Sequence, residues 1–195
     1  MSAASTAREA LTIARILKVH HAGEHGAIRI YRAQIAVARW IYPDVVATLS
    51  GMLAHEVEHC AAFRKAMPVR GARPCRIMSL WGVGGSLLGL ATALLGRQAI
   101  GMTTAAVEAT VHRHLDDQLQ FLESRDGELY DVIAGIREEE LSHLRTAEGN
   151  IQRQSWFYTV LRRTISIVTD GLIWLSTWGD SKRMTRDLAA GRAAP

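Results

Sequence analysis

The chain has 195 residues, 48% of them hydrophobic and 22% charged, with only 4 Pro, which excludes a disordered or collagen-like chain and predicts one domain with a sizeable core. Aromatics make up only 6%, and a bias toward Ala, Leu and Arg favours helix over the β-branched and aromatic residues that fill sheets. The net charge of +4 is unevenly placed: residues 1–150 carry 16 Lys and Arg against 16 Asp and Glu, and residues 151–195 carry 7 against 3.

In that tail Arg153, Arg162, Arg163, Lys182, Arg183 and Arg186 flank apolar runs holding Trp156, Phe157, Trp174 and Trp178. Basic residues beside Trp and Leu suit an anionic lipid surface better than nucleic acid. Cys60 and Cys75 form neither a Cys-x-x-Cys pair nor a disulfide framework, so a reducing compartment fits.

Met1 to Lys18 is rich in Ser, Ala and Arg, but Leu11, Ile13, Ile16, Leu17 and Val19 continue unbroken toward Glu24 and read as the start of a helix rather than a removable leader. That first helix is predicted over about 7–39, ending before Tyr42-Pro43-Asp44, where Pro43 and Asp44 suit the first positions of a second helix over about 44–66. Pro68, Gly71 and Pro74 make a connection. A third helix is predicted from about Arg76 to Leu122, and a fourth from Asp126 as N-cap to about Gln154. An apolar helix near 156–178 completes an all-α, up-down four-helix bundle with a C-terminal helix.

The acids and histidines then fall into a repeated pattern. Glu56-x-x-His59 follows Glu24 by the same interval at which Glu140-x-x-His143 follows Glu108. Within each pair of helices the two partners lie about equally far from the bend, near residues 42 and 125, so at about 1.5 Å per residue both arms reach about 25 Å and all six side chains share one layer. Residues three apart also share a helix face. Four buried carboxylates and two imidazoles call for cations, and this set is the di-iron or di-manganese arrangement of ferritin-like bundles. Oxygen ligands with one imidazole per metal favour iron or manganese over zinc.

The segments His21-Ala22-Gly23-Glu24-His25-Gly26-Ala27, Arg29-Ile30-Tyr31, Arg73-Pro74, Leu80-Trp81, Thr92-Ala93-Leu94-Leu95-Gly96 and Ala106-Val107-Glu108, with the two Glu-x-x-His motifs, resemble the di-iron demethoxyubiquinone hydroxylases of ubiquinone biosynthesis. The resemblance covers about residues 11–178. It implies a peripheral membrane monooxygenase on the cytoplasmic face that uses O2 and two irons, with manganese the lesser choice, to hydroxylate a polyprenyl quinone. An external electron donor such as NADH and other proteins of ubiquinone biosynthesis are the implied partners. The matching ligands are Glu24, Glu56, His59, Glu108, Glu140 and His143, with Glu56 and Glu140 bridging.

The chain departs from the family pattern at His20, where an Asp is usual, at His25 for Tyr, Ile28 for Asn and Leu115 for Tyr. A paralogue acting on another lipid quinone is therefore an alternative, as is a ferritin-like protein that oxidises iron or scavenges peroxide without an organic substrate. His21, one helical turn before Glu24, is placed to hydrogen-bond that carboxylate, and His112 and His114 are further candidates to support the centre. The stretch from Ile77 to Gly96 holds no Asp, Glu, Lys or Arg and has the length of a membrane span. A span there would separate the two halves of the ligand set, so an interfacial helix is expected instead, with bundle core as the alternative for Leu87, Leu88, Leu90 and Leu94.

Overall fold

The computed structural model describes residues 3–149, 151 and 156–192, which form helices and connections with no strand among them. The helices are α1 (Ala3–Ile41), α2 (Pro43–Ala66), α3 (Met78–Leu94), α4 (Arg97–Leu122), α5 (Gly127–Gly149), α6 (Trp156–Ser176) and α7 (Asp180–Arg192), with a 3-10 turn at Pro68–Arg70. The expected end of the fourth helix at Gln154 lies outside the described residues, as does Arg153. Pro43 opens α2, where its missing N–H costs nothing. Asp126 caps α5 by accepting the Leu129 N–H at 3.1 Å, and is itself clamped by Arg70 at 2.6 and 2.7 Å.

The single helix expected over 76–122 is two helices. The break falls at Gly96, whose φ of 109° and ψ of 174° lie where a side chain is strained. α3 then doubles back along α1, and Arg97 at the start of α4 meets Asp44 at 2.7 Å and covers the Tyr42 ring at 4.8 Å. Since Asp44 begins α2, α2 and α4 start at the same end of the bundle and run parallel. α3 is thus the long crossover of a ferritin-like bundle built from α1, α2, α4 and α5.

α3 approaches α1 through glycine. A Cβ on Gly85 would lie 2.6 Å from the Gly26 carbonyl oxygen, and one on Gly89 2.4 Å from that of Ile30. Most of the leucines point the other way: Leu87 and Leu94 are 63% exposed, with Leu80, Val83 and Leu90 also exposed, so the alternative of bundle core does not describe Leu87, Leu90 and Leu94, while Leu88 is half-buried. No helix among the described residues is long and apolar enough to cross a membrane.

The C-terminal basic segment also differs from a free tail. It forms α7, whose Asp187 receives Arg8, Thr12 and Arg15, and whose Asp180 receives Lys18, all from α1.

Two apolar layers fill the bundle. One contains Ile16, Leu17, Phe63, Leu115, Leu122 and Ile133, and the other Tyr31, Ala38, Leu49, Met52 and Ile100. On each of α1, α2 and α4 the acidic or imidazole positions fall between these two sets, so the polar residues occupy one level sandwiched between apolar ones.

Candidate metal centre

Each bundle helix sends its expected residue to that level. Glu24 comes from α1, Glu56 and His59 from α2, Glu108 from α4, and Glu140 and His143 from α5, and none is more than 6% exposed. Their donor atoms form two groups, Glu24/Glu56/His59/Glu140 and Glu56/Glu108/Glu140/His143, each with one atom per residue and all within 4.8 Å of one another. Glu56 and Glu140 belong to both.

The electrostatics are those of too many carboxyls in a dry place. Burial, and then the facing Glu56 and Glu140, hold Glu24 well above the usual carboxylate range. Burial and Glu140 push Glu56 up to about 8, and Glu108 is raised by burial and again by Glu140. Glu140 is the exception: burial would raise it, but the neighbouring Glu108, His143 and His59 outweigh that and hold it below its ordinary value. His59 is correspondingly pushed up to about 9, the bond to Glu140 overcoming burial. Protons, shared among acids that cannot all ionise, stand where cations would relieve the repulsion.

Whether a cation fits is visible in the atoms left over. Glu56 Oε1, Glu140 Oε2 and His143 Nδ1 are buried with no hydrogen-bond partner. They converge, the imidazole nitrogen lying 3.5 Å from Glu56 and 3.7 Å from Glu140. Unsatisfied buried polar atoms cost about 1–3 kcal/mol each, and two carboxylate oxygens with one imidazole nitrogen are a suitable donor set for a divalent metal.

Both imidazoles turn Nδ1 inward, and their outer nitrogens have partners that sequence reasoning missed. His59 Nε2 lies 2.9 Å from Glu139, and His143 Nε2 lies 2.9 Å from His55, whose ring stacks on it at 5.1 Å. His55 also approaches Glu139 at 3.9 Å, so an outer bridge joins His59 and His143. The signal was available: His55 and Glu139 each lie one turn before a Glu-x-x-His histidine, on the same face. Tyr31, conspicuous only as part of a motif, donates its hydroxyl to Glu108 at 3.1 Å.

The other histidines are placed differently from expectation. His21 is buried, but no hydrogen bond joins it to Glu24 among the described residues; its ring lines a cavity between α1 and α2, and its Nδ1 has no partner. His112 is half-buried, with Nδ1 unpartnered, and belongs to neither donor group. The side chain of His114 lies outside the described residues. His20, one of the departures from the family pattern, is buried, paired with Gln118 and stacked on Phe63 at 4.9 Å.

A four-helix bundle with a crossover, holding two Glu/His groups that share two carboxylates, defines the class of ferritin-like proteins with a paired carboxylate–histidine centre. Within that class the chain belongs to the family described as "Ubiquinone biosynthesis protein COQ7", whose model matches residues 11–176. It is 40% identical over 167 residues to the 3-demethoxyubiquinol 3-hydroxylase of Rhodospirillum rubrum, covering 86% of this chain and 78% of that one. It is 36% identical to the mitochondrial NADPH-dependent 3-demethoxyubiquinone 3-hydroxylase of Rattus norvegicus, covering 83% and 76%. Against the mitochondrial 5-demethoxyubiquinone hydroxylase of Saccharomyces cerevisiae it is 32% identical, covering 85% and 78%. An oxidoreductase of ubiquinone biosynthesis is what family and fold together support.

Proposed function

We propose that the chain hydroxylates the ring of a polyprenyl demethoxyquinol with O2, using two irons per chain. The observation that carries this reading is the sharing of Glu56 and Glu140 by two donor groups, each completed by one carboxylate and one imidazole. Glu24 and His59 would hold one ion, Glu108 and His143 the other, with Glu56 and Glu140 between them. The bound metal pair supplies the oxidising power toward O2. One oxygen atom enters the ring and the other leaves as water, which requires two electrons and two protons from an external donor. A nicotinamide nucleotide is the donor we favour, in keeping with the names of several relatives.

The protein's part is to exclude water and present the ring. A cavity of about 400 Å³ between α1, α4, α6 and α7 has Glu24 in its wall beside Val19, Gly23, Val111, Ile173 and Trp174. Its size suits a substituted quinone ring, and Trp174, partly exposed at its rim, leads out along α6 for an isoprenoid tail. A larger cavity of about 700 Å³ is lined by Met52, Thr104 and Ala147, each one helical turn from Glu56, Glu108 or His143, but contains none of the six side chains. The exposed leucines of α3 with Val160, Ile167, Trp174 and Trp178 of α6 and its end form the surface we assign to the membrane interface, on the cytoplasmic face. Other proteins of ubiquinone biosynthesis would meet the enzyme there.

The test is metal content and turnover together, on protein in mild detergent or vesicles. Two irons per chain, and a quinol product heavier by one oxygen, are expected, both lost in Glu56→Gln. Iron oxidation without any dependence on quinol or lipid would instead support the iron-handling alternative. A chain with full iron and no activity on demethoxyquinol, but activity on another lipid quinone, would support the paralogue reading that His20, His25, Ile28 and Leu115 raise.

A further inference from the structure

α1 carries a stripe of nitrogen-bearing side chains at helical spacing: His21, His25, Arg29 and, one turn on, Arg32. α2 faces it with Arg64 and Cys60, and Pro74 and Met78 close the third side of an open cavity of about 440 Å³. Three arginines and two histidines line this cavity, and no carboxylate does.

Elsewhere on the molecule arginines find acids: Arg15 pairs with Asp187, Arg70 with Asp126, Arg97 with Asp44 and Arg137 with Asp116. Among the described residues Arg29, Arg32 and Arg64 pair with none. His21 is pressed toward the neutral form by burial and then by Arg64. At the floor sits His21, 3% exposed, with a buried Nδ1 that nothing satisfies. A set of cations lining one cavity with no acid among them is half of a site, and the missing half is an anion.

We propose that this cavity binds a phosphate group, held by the guanidinium forks of Arg29, Arg32 and Arg64 over His21. Planar forks match the paired oxygens of a phosphate ester and tolerate the partial exposure found here. His21 lies one turn before Glu24, and Cys60 next to His59, so the phosphate sits one side chain away from the carboxylate cluster. Two sources share this chemistry: a soluble nucleotide brought up to the centre, or the headgroup of an anionic lipid, with the exposed face of α3 following directly from Met78. The site rests on the hydroxylase reading for its purpose and on the cavity alone for its geometry.

The experiment titrates the iron-loaded chain with inorganic phosphate and with ADP, and separately with phosphatidylcholine vesicles with and without phosphatidylglycerol. The wild type is compared with Arg32→Gln/Arg64→Gln, whose side chains are exposed, and with Arg39→Gln/Arg145→Gln, exposed on α1 and α5 away from the cavity, as a charge-matched control. ADP or phosphate binding weakened at least about tenfold in the cavity variant alone, with iron content unchanged, supports the site and a soluble source. No soluble binding, but a phosphatidylglycerol-dependent gain in vesicle binding that only the cavity variant loses, supports the site and a lipid source. Equal behaviour of the wild type and the cavity variant, or equal loss in both variants, overturns it. A chain that loads iron and hydroxylates quinol yet behaves so loses only this site; one that binds ADP through these arginines but never loads iron loses only the hydroxylase reading.

Discussion

Removing the metal should make stability fall as pH rises, in the direction opposite to a protein rich in paired surface carboxylates. In the metal-free chain Glu56 titrates near 8 rather than its ordinary 4.5. Between those values the folded state keeps a proton that the unfolded state has released, so unfolding gains with pH. His59, raised from 6.5 to about 9, acts with the same sign: its contribution is complete below 6.5 and is lost as pH climbs through 9. Glu24 and Glu108, also raised, add to the trend, while Glu140, lowered, costs stability only on the acid side of its ordinary value.

Each retained proton is worth about 1.4 kcal/mol per pH unit. From about pH 6.5 to about pH 8, Glu56 and His59 together therefore remove roughly 2–4 kcal/mol. For a chain of this size that lowers the melting temperature by roughly 5–15 °C. Bound metal displaces those protons and binds more tightly as pH rises, so the gap between loaded and metal-free melting temperatures should widen across the window. Thermal unfolding followed by far-UV circular dichroism, on chelated and reloaded samples, measures it. A metal-free melting temperature that is flat or rises with pH, or a gap that fails to widen, refutes the reasoning.

Glu56→Gln or Glu140→Gln should cost both metals, because each donor group contains both residues, whereas Glu24→Gln should spare the ion on His143 and Glu108→Gln the ion on His59; metal per chain distinguishes them. His55→Ala, removing the partner of His143 Nε2, should weaken metal binding about 10–100-fold while the fold persists, as read by metal titration beside circular dichroism. Gly85→Ala should destabilise by up to about 2 kcal/mol, overpacking of about 1–3 kcal/mol being offset in part by a helix-propensity gain of about 1 kcal/mol. Gly51→Ala on α2, with open space around it, should stabilise by up to about 1 kcal/mol; urea unfolding that ranks them the other way would remove the close α1–α3 contact.

The six side chains at the centre were legible because their spacing is a geometric statement: two equal Glu-to-Glu intervals, each straddling a bend, can be satisfied together only by a layer. The bridge outside them was harder. A His one turn before another His, or a Glu one turn before a His, is ordinary on any helix, and only the burial of the inner pair makes the outer one informative. The break in the third helix was hidden for a related reason. Several glycines lie between Gly82 and Gly101, and composition does not say which one takes a positive φ; that is decided at Gly96 by the need to return α4 to the end where Asp44 and Tyr42 wait. α7 escaped notice because the cations of this segment were weighed against lipid, whereas its two acids, Asp180 and Asp187, tie it to α1 and Arg192 ties it to Asp117 of α4.

α3 carries the most instructive inversion. Its glycines looked like dilution of an apolar run, and they are its buried face, with Gly85 and Gly89 against the backbone of α1. Leu80, Leu87, Leu90 and Leu94, which in a water-soluble bundle would point inward, are exposed. Small residues at the helix contact and large apolar ones outside is the arrangement favoured where the surroundings are lipid, since burying leucine gains nothing there and close backbone approach does. The crossover in this fold therefore does two things with one segment: it returns the chain to the starting end of α2, which lets α4 run parallel to it and bring Glu108 into the layer, and it places an apolar strip beside the bundle. The polyprenyl substrate proposed above would use both, since its ring would have to reach a dry, acidic layer in the protein's interior while its tail would lie along the apolar strip.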